Sequence, residues 1–136
     1  MRQITGQISN GLRLLVLPVV LFLSSVAMAD VTVDEVYRLR LFFGLSLPEG
    51  GGVSLKQWQA FEQQEIPKYF DGFNVVDSVG YYKGVPERSK VVTVIVTQAE
   101  VVKAKQLAKV YAKRFNQDSV MMVKVPVLEW DFISAD

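Results

Sequence analysis

The segment SKVVTVIVT, residues 89–97, constrains the fold most, because every residue from 91 to 97 is β-branched. Branching at Cβ favours extended backbone over helix. A run that is almost entirely apolar also has no face suited to water. Such a run is typical of a strand inside a sheet, covered on both faces or nearly so. The sequence therefore predicts a central strand here.

Residues 33–47 supply a second strand, because their apolar and polar side chains alternate with a period of two. One face would carry Tyr37, Leu39, Leu41, Phe43 and Leu45, and the other Arg38, Arg40 and Phe42.

Residues 73–84 show a weaker strand pattern. Residues 119–133 read as the last strand, which Pro126 assigns to a sheet edge because proline lacks the ladder donor. The apolar phase changes after Val127, and we expect a bulge near Pro126 to explain it.

Two helices are predicted from their capping boxes, Ser54 with Gln57 and Thr97 with Glu100. In the first helix, Val53 and Trp58 have the spacing of a hydrophobic staple. Pro67 marks its end. The expected buried positions are Leu55, Trp58, Phe61 and Ile66 in the first helix, and Val101, Ala104, Ala108, Tyr111 and Phe115 in the second.

The predicted order is strand, helix, strand, strand, helix, strand. An α+β, ferredoxin-like split βαβ sandwich accommodates it, with a four-stranded antiparallel sheet in the order 4-1-3-2 and two helices on one face. The opposite face would carry Arg38, Arg40, Phe42, Val91, Thr93 and Ile95. That mixture is too apolar to be only a solvated surface, so a self-pairing sheet or a ligand platform is expected.

Residues 1–29 have the three parts of a secretory signal peptide: two arginines, an apolar run of about ten residues, and an A-x-A site at Ala27 and Ala29. We expect cleavage after Ala29, a single domain over residues 30–136, and a periplasmic location. An extracellular location, or an uncleaved signal that anchors the protein, is the alternative. After cleavage no stable membrane span is expected. The formal charge then falls from +1 to −1, which disfavours nucleic acid as a partner.

The chain has no Cys and no His. Thiol and imidazole nucleophile systems, the usual zinc sites and the usual haem ligands are therefore excluded, and neither a metal nor a cofactor is expected. Carboxylate, Lys, Tyr and Ser chemistry remains.

The stretch YYKGVPERSK, residues 81–90, is the most chemically varied segment. The favoured interpretation of this segment is a structural hairpin. A binding loop is the second interpretation, and a catalytic site is the least favoured. The catalytic candidates are Glu87, Asp71 and Tyr82, provided that the two carboxylates converge. The candidate binding residues are Arg38, Arg40, Phe42, Tyr81, Lys83, Arg88, Lys90 and Trp130.

The segments RLFFGLS, VSLKQWQAF, IPKYFDGFNVVD, GYYKG and ERSKVV occur in an order and spacing that resemble the small exported bacterial family known as domain of unknown function 3574. The resemblance covers about residues 36–133. Phe70 stands where that family usually has a second Pro, and Tyr82 where it usually has Trp. The resemblance implies the same fold and export, and it implies no substrate or mechanism.

Two functions are therefore carried forward. The favoured one is a non-catalytic module that uses the open sheet face to form a homodimer or to bind an unknown protein or small ligand. The alternative is a small carboxylate-dependent hydrolase or isomerase that uses Glu87, Asp71 and Tyr82.

Overall fold

The computed structural model describes residues 35–47 and 49–135. The predicted signal peptide, residues 1–29, lies outside this part of the chain. The elements are strand β1 (Val36–Gly44), helix α1 (Leu55–Gln64), strands β2 (Asn74–Tyr82) and β3 (Val85–Thr97), helix α2 (Val101–Arg114) and strand β4 (Met121–Pro126). Short 3-10 turns follow α1 at Ile66–Lys68 and precede α2 at Gln98–Glu100.

The four strands form one sheet in the order β2-β3-β1-β4, and every neighbouring pair is antiparallel. The β-branched run lies in β3, a central strand, as the sequence predicted. Strand β4 lies at an edge, which agrees with the missing backbone donor of Pro126. Strand order and helix number confirm the predicted α+β, ferredoxin-like arrangement.

Both helices begin at the predicted capping boxes. The Ser54 hydroxyl accepts from the Gln57 backbone N–H, and the Gln57 side chain accepts from the Ser54 backbone N–H at 2.8 Å. Thr97 and Glu100 form the second box, although the segment it opens is a 3-10 turn before α2 starts. The prediction that Leu55 is buried is wrong, because this first helical residue is 65% exposed.

The core lies between the helices and one face of the sheet. Strands β1 and β3 contribute alternate residues, and an aromatic cluster around Tyr111 joins the helix layer to β1. The cluster consists of Phe43, Trp58, Phe61, Tyr111 and Phe115. Tyr111 Oη donates to the Gly44 carbonyl at 2.7 Å, which ties the last turn of α2 to the end of β1.

An ion pair links the ends of the two helices. The buried Glu65 carboxylate accepts from Arg114 Nη2 at 2.6 Å and from Lys68 Nζ at 3.1 Å. The hydrogen bond from Lys68 and then that from Arg114 lower the pKa of Glu65 below its ordinary value, against the opposing effect of burial. This carboxylate serves the helix layer and lies away from the exposed face of the sheet.

The bulge predicted near Pro126 is not present. Strand β4 pairs with β1 in regular register from Met121 to Pro126, and the strand then ends. The apolar phase changes because residues 127–135, which we term the C-terminal tail, leave the sheet. Across the described ranges, no helix is long and apolar enough to cross a membrane.

Candidate functional site

The sheet face opposite the helices, which we term the open face, is largely apolar. Register and alternate burial determine which side chains it carries. Besides the residues predicted from β1 and β3, it includes Val76 from β2 and three residues from β4: Met121, Val123 and Val125. Met121 is 57% exposed and Ile95 45% exposed. Water therefore reaches hydrocarbon over much of this face.

One row crosses all four strands. Met121 pairs with Phe42, Phe42 with Val91, and Val91 with Val76. Val91 is fully buried although neither α1 nor α2 lies on this face. The middle of the open face is therefore a packed apolar band rather than scattered exposed side chains.

Two arginines of β1 stand beside this band. The Arg40 guanidinium lies 5.1 Å from the centroid of the Phe42 ring, a distance suited to a cation–π contact. Arg38 pairs with Ile95 on one side and Val125 on the other. In the part of the chain that the structure describes, the ion pairs involve Lys68, Lys90, Lys103 and Arg114, and none involves Arg38 or Arg40. Both arginines lack a carboxylate partner there.

The C-terminal tail borders one end of the open face. Its first residue, Val127, donates its N–H to the Val36 carbonyl at 2.9 Å, and the chain then leaves the sheet. The Trp130 ring packs edge-on against Phe132, with centroids 5.7 Å apart. Trp130, Asp131 and Phe132 line a groove of about 870 Å³ together with residues of the sheet that include Arg38 and Ile95. The tail thus places aromatic side chains in the same groove as Arg38.

The charged segment 81–90 forms a hairpin and not a loop. A two-residue turn, Lys83 and Gly84, joins β2 to β3, with φ of 50° and 80°. Positive φ at both positions is the pattern of a type I′ turn, whose twist matches that of the flanking strands. Glu87, Arg88 and Lys90 therefore lie on β3 itself, which starts earlier than the predicted residue 89.

Strand alternation divides the candidate residues of this hairpin between its two faces. Tyr82 and Glu87 are on the side of the open face, whereas Tyr81, Arg88 and Lys90 are on the helix side. Lys90 Nζ forms an ion pair with Asp77 Oδ1 at 2.6 Å. Lys83 Nζ lies 5.3 Å from the centroid of the Tyr82 ring, in the turn. The structure does not gather these residues into one binding site.

The two candidate carboxylates also lie apart. Asp71 borders a small groove with Ile95 and Lys103, near the start of β2. Glu87 is eight residues from Ile95 along β3, which corresponds to roughly 26 Å of extended strand. Glu87 instead borders a separate, wide concavity of about 610 Å³ with Ser78 and other residues. Asp71 and Glu87 therefore cannot share one reacting group.

Strand β4 is the main contributor that sequence reasoning missed. Met121, Val123 and Val125 lie in the predicted last strand, but the sequence analysis assigned them to neither face of the sheet. Their alternation in the sequence was the available signal, because an unbroken antiparallel ladder aligns these residues with Phe42, Arg40 and Arg38. Trp130 was recognised as a candidate, whereas Phe132, its partner in the tail, was not.

A family model described as "Protein of unknown function (DUF3574)" matches residues 38–130. No curated protein and no solved structure matches the chain.

Proposed function

The chain belongs to this family, Protein of unknown function (DUF3574), and because that description assigns no activity, we propose from the geometry that the protein is a non-catalytic self-association module. Its open face pairs with the open face of a second copy. We include in this proposal an exported, periplasmic location, which the signal-peptide pattern of residues 1–29 supports.

The single observation that carries the proposal is the apolar row Met121–Phe42–Val91–Val76 on a face that, among the described residues, neither helix covers. A sheet that is apolar on both faces normally has a layer on each, because hydrocarbon exposed to water costs about 25 cal/mol per Å². The helices cover only one face. A second copy supplies the missing layer with the same apolar row.

The size of the open face supports a protein partner. Four strands about 4.8 Å apart and some 25 Å long give a surface of roughly 500 Å² in plan, before side-chain relief is counted. A stable interface buries about 800 Å² of accessible surface on each partner. The open face and the adjoining tail together are of this order. Sheet-on-sheet packing at about 10 Å is also an established way to cover such a face.

Catalysis is less well supported than association. The hydrolase alternative required Asp71 and Glu87 to act together, and these residues lie at opposite ends of the β2–β3 pair.

Light scattering after size-exclusion chromatography, over a range of concentrations, tests the proposal. We expect a dimer for the wild-type protein and a monomer for Phe42→Asp, because a carboxylate in the apolar row would lose its water in the interface. Met121→Asp should have the same effect. Its side chain is 57% exposed, so a loss of association there does not depend on a damaged monomer fold.

Leu55→Asp is the matched control, since it makes the same change at an exposed apolar residue on the helix side. This variant should remain dimeric. A wild-type protein that is monomeric at all concentrations would disprove the proposal, as would dimers that persist in both open-face variants.

A further inference from the structure

Face-to-face pairing brings like charges together. In a two-fold dimer the same surface of both copies meets itself, and with the axis near the central strand β1, Arg38 and Arg40 of one copy approach those of the other. Within the described residues neither arginine has a carboxylate partner that could offset this repulsion. Four partly desolvated guanidinium groups would oppose the dimer unless carboxylates enter the interface.

The C-terminal tail carries suitable carboxylates. Glu129 and Asp131 alternate with Leu128, Trp130 and Phe132, so acidic and apolar side chains are interleaved. Neither carboxylate forms an ion pair in the described part of the chain, although Asp131 Oδ1 accepts from the Phe132 backbone N–H at 2.7 Å. The two negative charges of the tail match the two positive charges of the open face.

The apolar side chains of the tail are also poorly covered within one copy. Leu128 is fully exposed, Phe132 is 85% exposed and Ile133 is 87% exposed. Such a concentration of exposed large apolar residues in a short segment is characteristic of a surface that is covered by a partner. Their exposure indicates that contacts within one chain do not use most of the apolar area of the tail.

The tail is anchored where it can reach a facing copy. The hydrogen bond from Val127 to Val36 fixes its start beside Arg38, at the edge of the open face. The six residues that follow extend about 20 Å at 3.3 Å per residue, whereas the sheet is only about 14 Å across from its first strand to its fourth. An extended tail is therefore long enough to cross the face of a second copy.

On the premise of the proposed self-association, we infer that the two copies exchange their C-terminal tails across the interface. Glu129 and Asp131 of each tail pair with Arg38 and Arg40 of the other copy. Because successive side chains of an extended segment point to opposite sides, Trp130 and Phe132 stay against the apolar residues of their own copy, where they line the groove beside Ile95, while the carboxylates face the other copy. The exchanged tails thus neutralise the charges that would otherwise oppose pairing.

Reversing the charge of the tail tests this inference. We expect Glu129→Arg/Asp131→Arg to raise the dimer dissociation constant about tenfold or more, because the attractive charge pairs between tail and open face would become repulsive. Circular dichroism should show an unchanged fold, since the tail residues are exposed. Lys105→Glu/Lys109→Glu, a reversal of two charges on the exposed side of α2, is the control and should leave the dissociation constant unchanged.

Mixing complementary variants tests whether the tail crosses between copies. Arg38→Glu/Arg40→Glu and Glu129→Arg/Asp131→Arg should each be monomeric alone, because tail and face then carry the same sign. Their equimolar mixture should form a dimer with one copy of each. Deleting residues 128–136 from the wild-type protein should weaken the dimer about as strongly as the charge reversal, because Arg38 and Arg40 of the two copies are then left facing each other. A truncated protein that dimerises with unchanged affinity would overturn the role of the tail.

The outcomes distinguish this inference from the proposed function. If the wild-type protein is a dimer, Phe42→Asp is a monomer and the tail variant remains a dimer of unchanged affinity, tail exchange is refuted and pairing of the open faces stands. If the wild-type protein is a monomer throughout, pairing itself is refuted, and tail exchange with it.

Discussion

Replacing Tyr111 with Phe removes one hydroxyl group from the centre of the helix–sheet interface and leaves the ring in place. The Tyr111 ring packs edge-on against Phe43, with centroids 4.7 Å apart, and against Phe61 at 5.0 Å. Phe can keep these contacts. The hydrogen bond from Tyr111 Oη to the Gly44 carbonyl at 2.7 Å is lost. Burial raises the pKa of Tyr111, so the hydroxyl stays protonated and remains a donor throughout the range in which the protein would be studied.

The expected loss follows from the burial of the site. A net hydrogen bond contributes about 0.5 to 1.5 kcal/mol, and a buried group left without its partner costs about 1 to 3 kcal/mol. Tyr111 is fully buried and Gly44 is half-buried, so we expect Tyr111→Phe to lower the free energy of unfolding by about 1.5 kcal/mol. A domain of roughly 100 residues loses about 0.2 kcal/mol per degree near its midpoint, which makes this a fall in Tm of about 7 °C.

Urea denaturation followed by circular dichroism measures the change, at one fixed protein concentration because self-association would also affect stability. Tyr81→Phe is the matched control, since it deletes the same hydroxyl from a side chain that is 75% exposed. A loss for Tyr111→Phe below about 0.5 kcal/mol, or equal to that of the control, would refute the assignment of this hydrogen bond as a stabilising contact.

Two further predictions concern stability. The hydrogen bonds from Lys68 and Arg114 lower the pKa of Glu65 in the folded protein. The ionised carboxylate therefore stabilises the fold fully at pH values above its unfolded pKa of about 4.3. This contribution is lost as the pH falls through the lower folded pKa. In denaturation experiments, Glu65→Gln should be clearly less stable than wild type near neutral pH and nearly as stable at about pH 2. A stability difference between the two proteins that does not change with pH would contradict this pKa argument. Gly84→Ala should cost about 1 kcal/mol in thermal denaturation, because φ is +80° at this turn position. Gly80→Ala, inside β2 with open space around the added Cβ, should cost much less, and equal losses would argue against strain in the turn.

The regular parts of the fold were predictable because their causes are local. Period-two alternation identified β1, a β-branched run identified β3, and capping boxes located both helix starts. Leu55 escaped this reasoning, since helical spacing shows which residues share a face and not whether the first turn extends beyond the sheet. The end of β4 escaped it too: a phase change in sequence looks the same whether the strand bulges or the chain leaves the sheet.

The candidate site was less predictable because it depends on long-range register. The sequence places Phe42 on the open face, but only the ladder aligns it with Met121, Val91 and Val76. The length of the β2–β3 hairpin likewise separates Asp71 from Glu87, a distance that chain separation alone does not reveal. The alignment of the apolar row and the separation of the two carboxylates both depend on strand pairing between residues far apart in the chain.

The position of β1 in the sheet has a consequence for the order in which the chain can fold. β1 is the first strand, yet both of its hydrogen-bonding neighbours come much later, with β3 beginning at Val85 and β4 at Met121. A polypeptide that emerges with its N-terminus first therefore presents β1 long before any strand can pair with it. The sheet is completed only when nearly the whole polypeptide has appeared, and such non-local pairing is intrinsically slow. Late closure leaves β1 without its partners, and the core between sheet and helices incomplete, for most of synthesis.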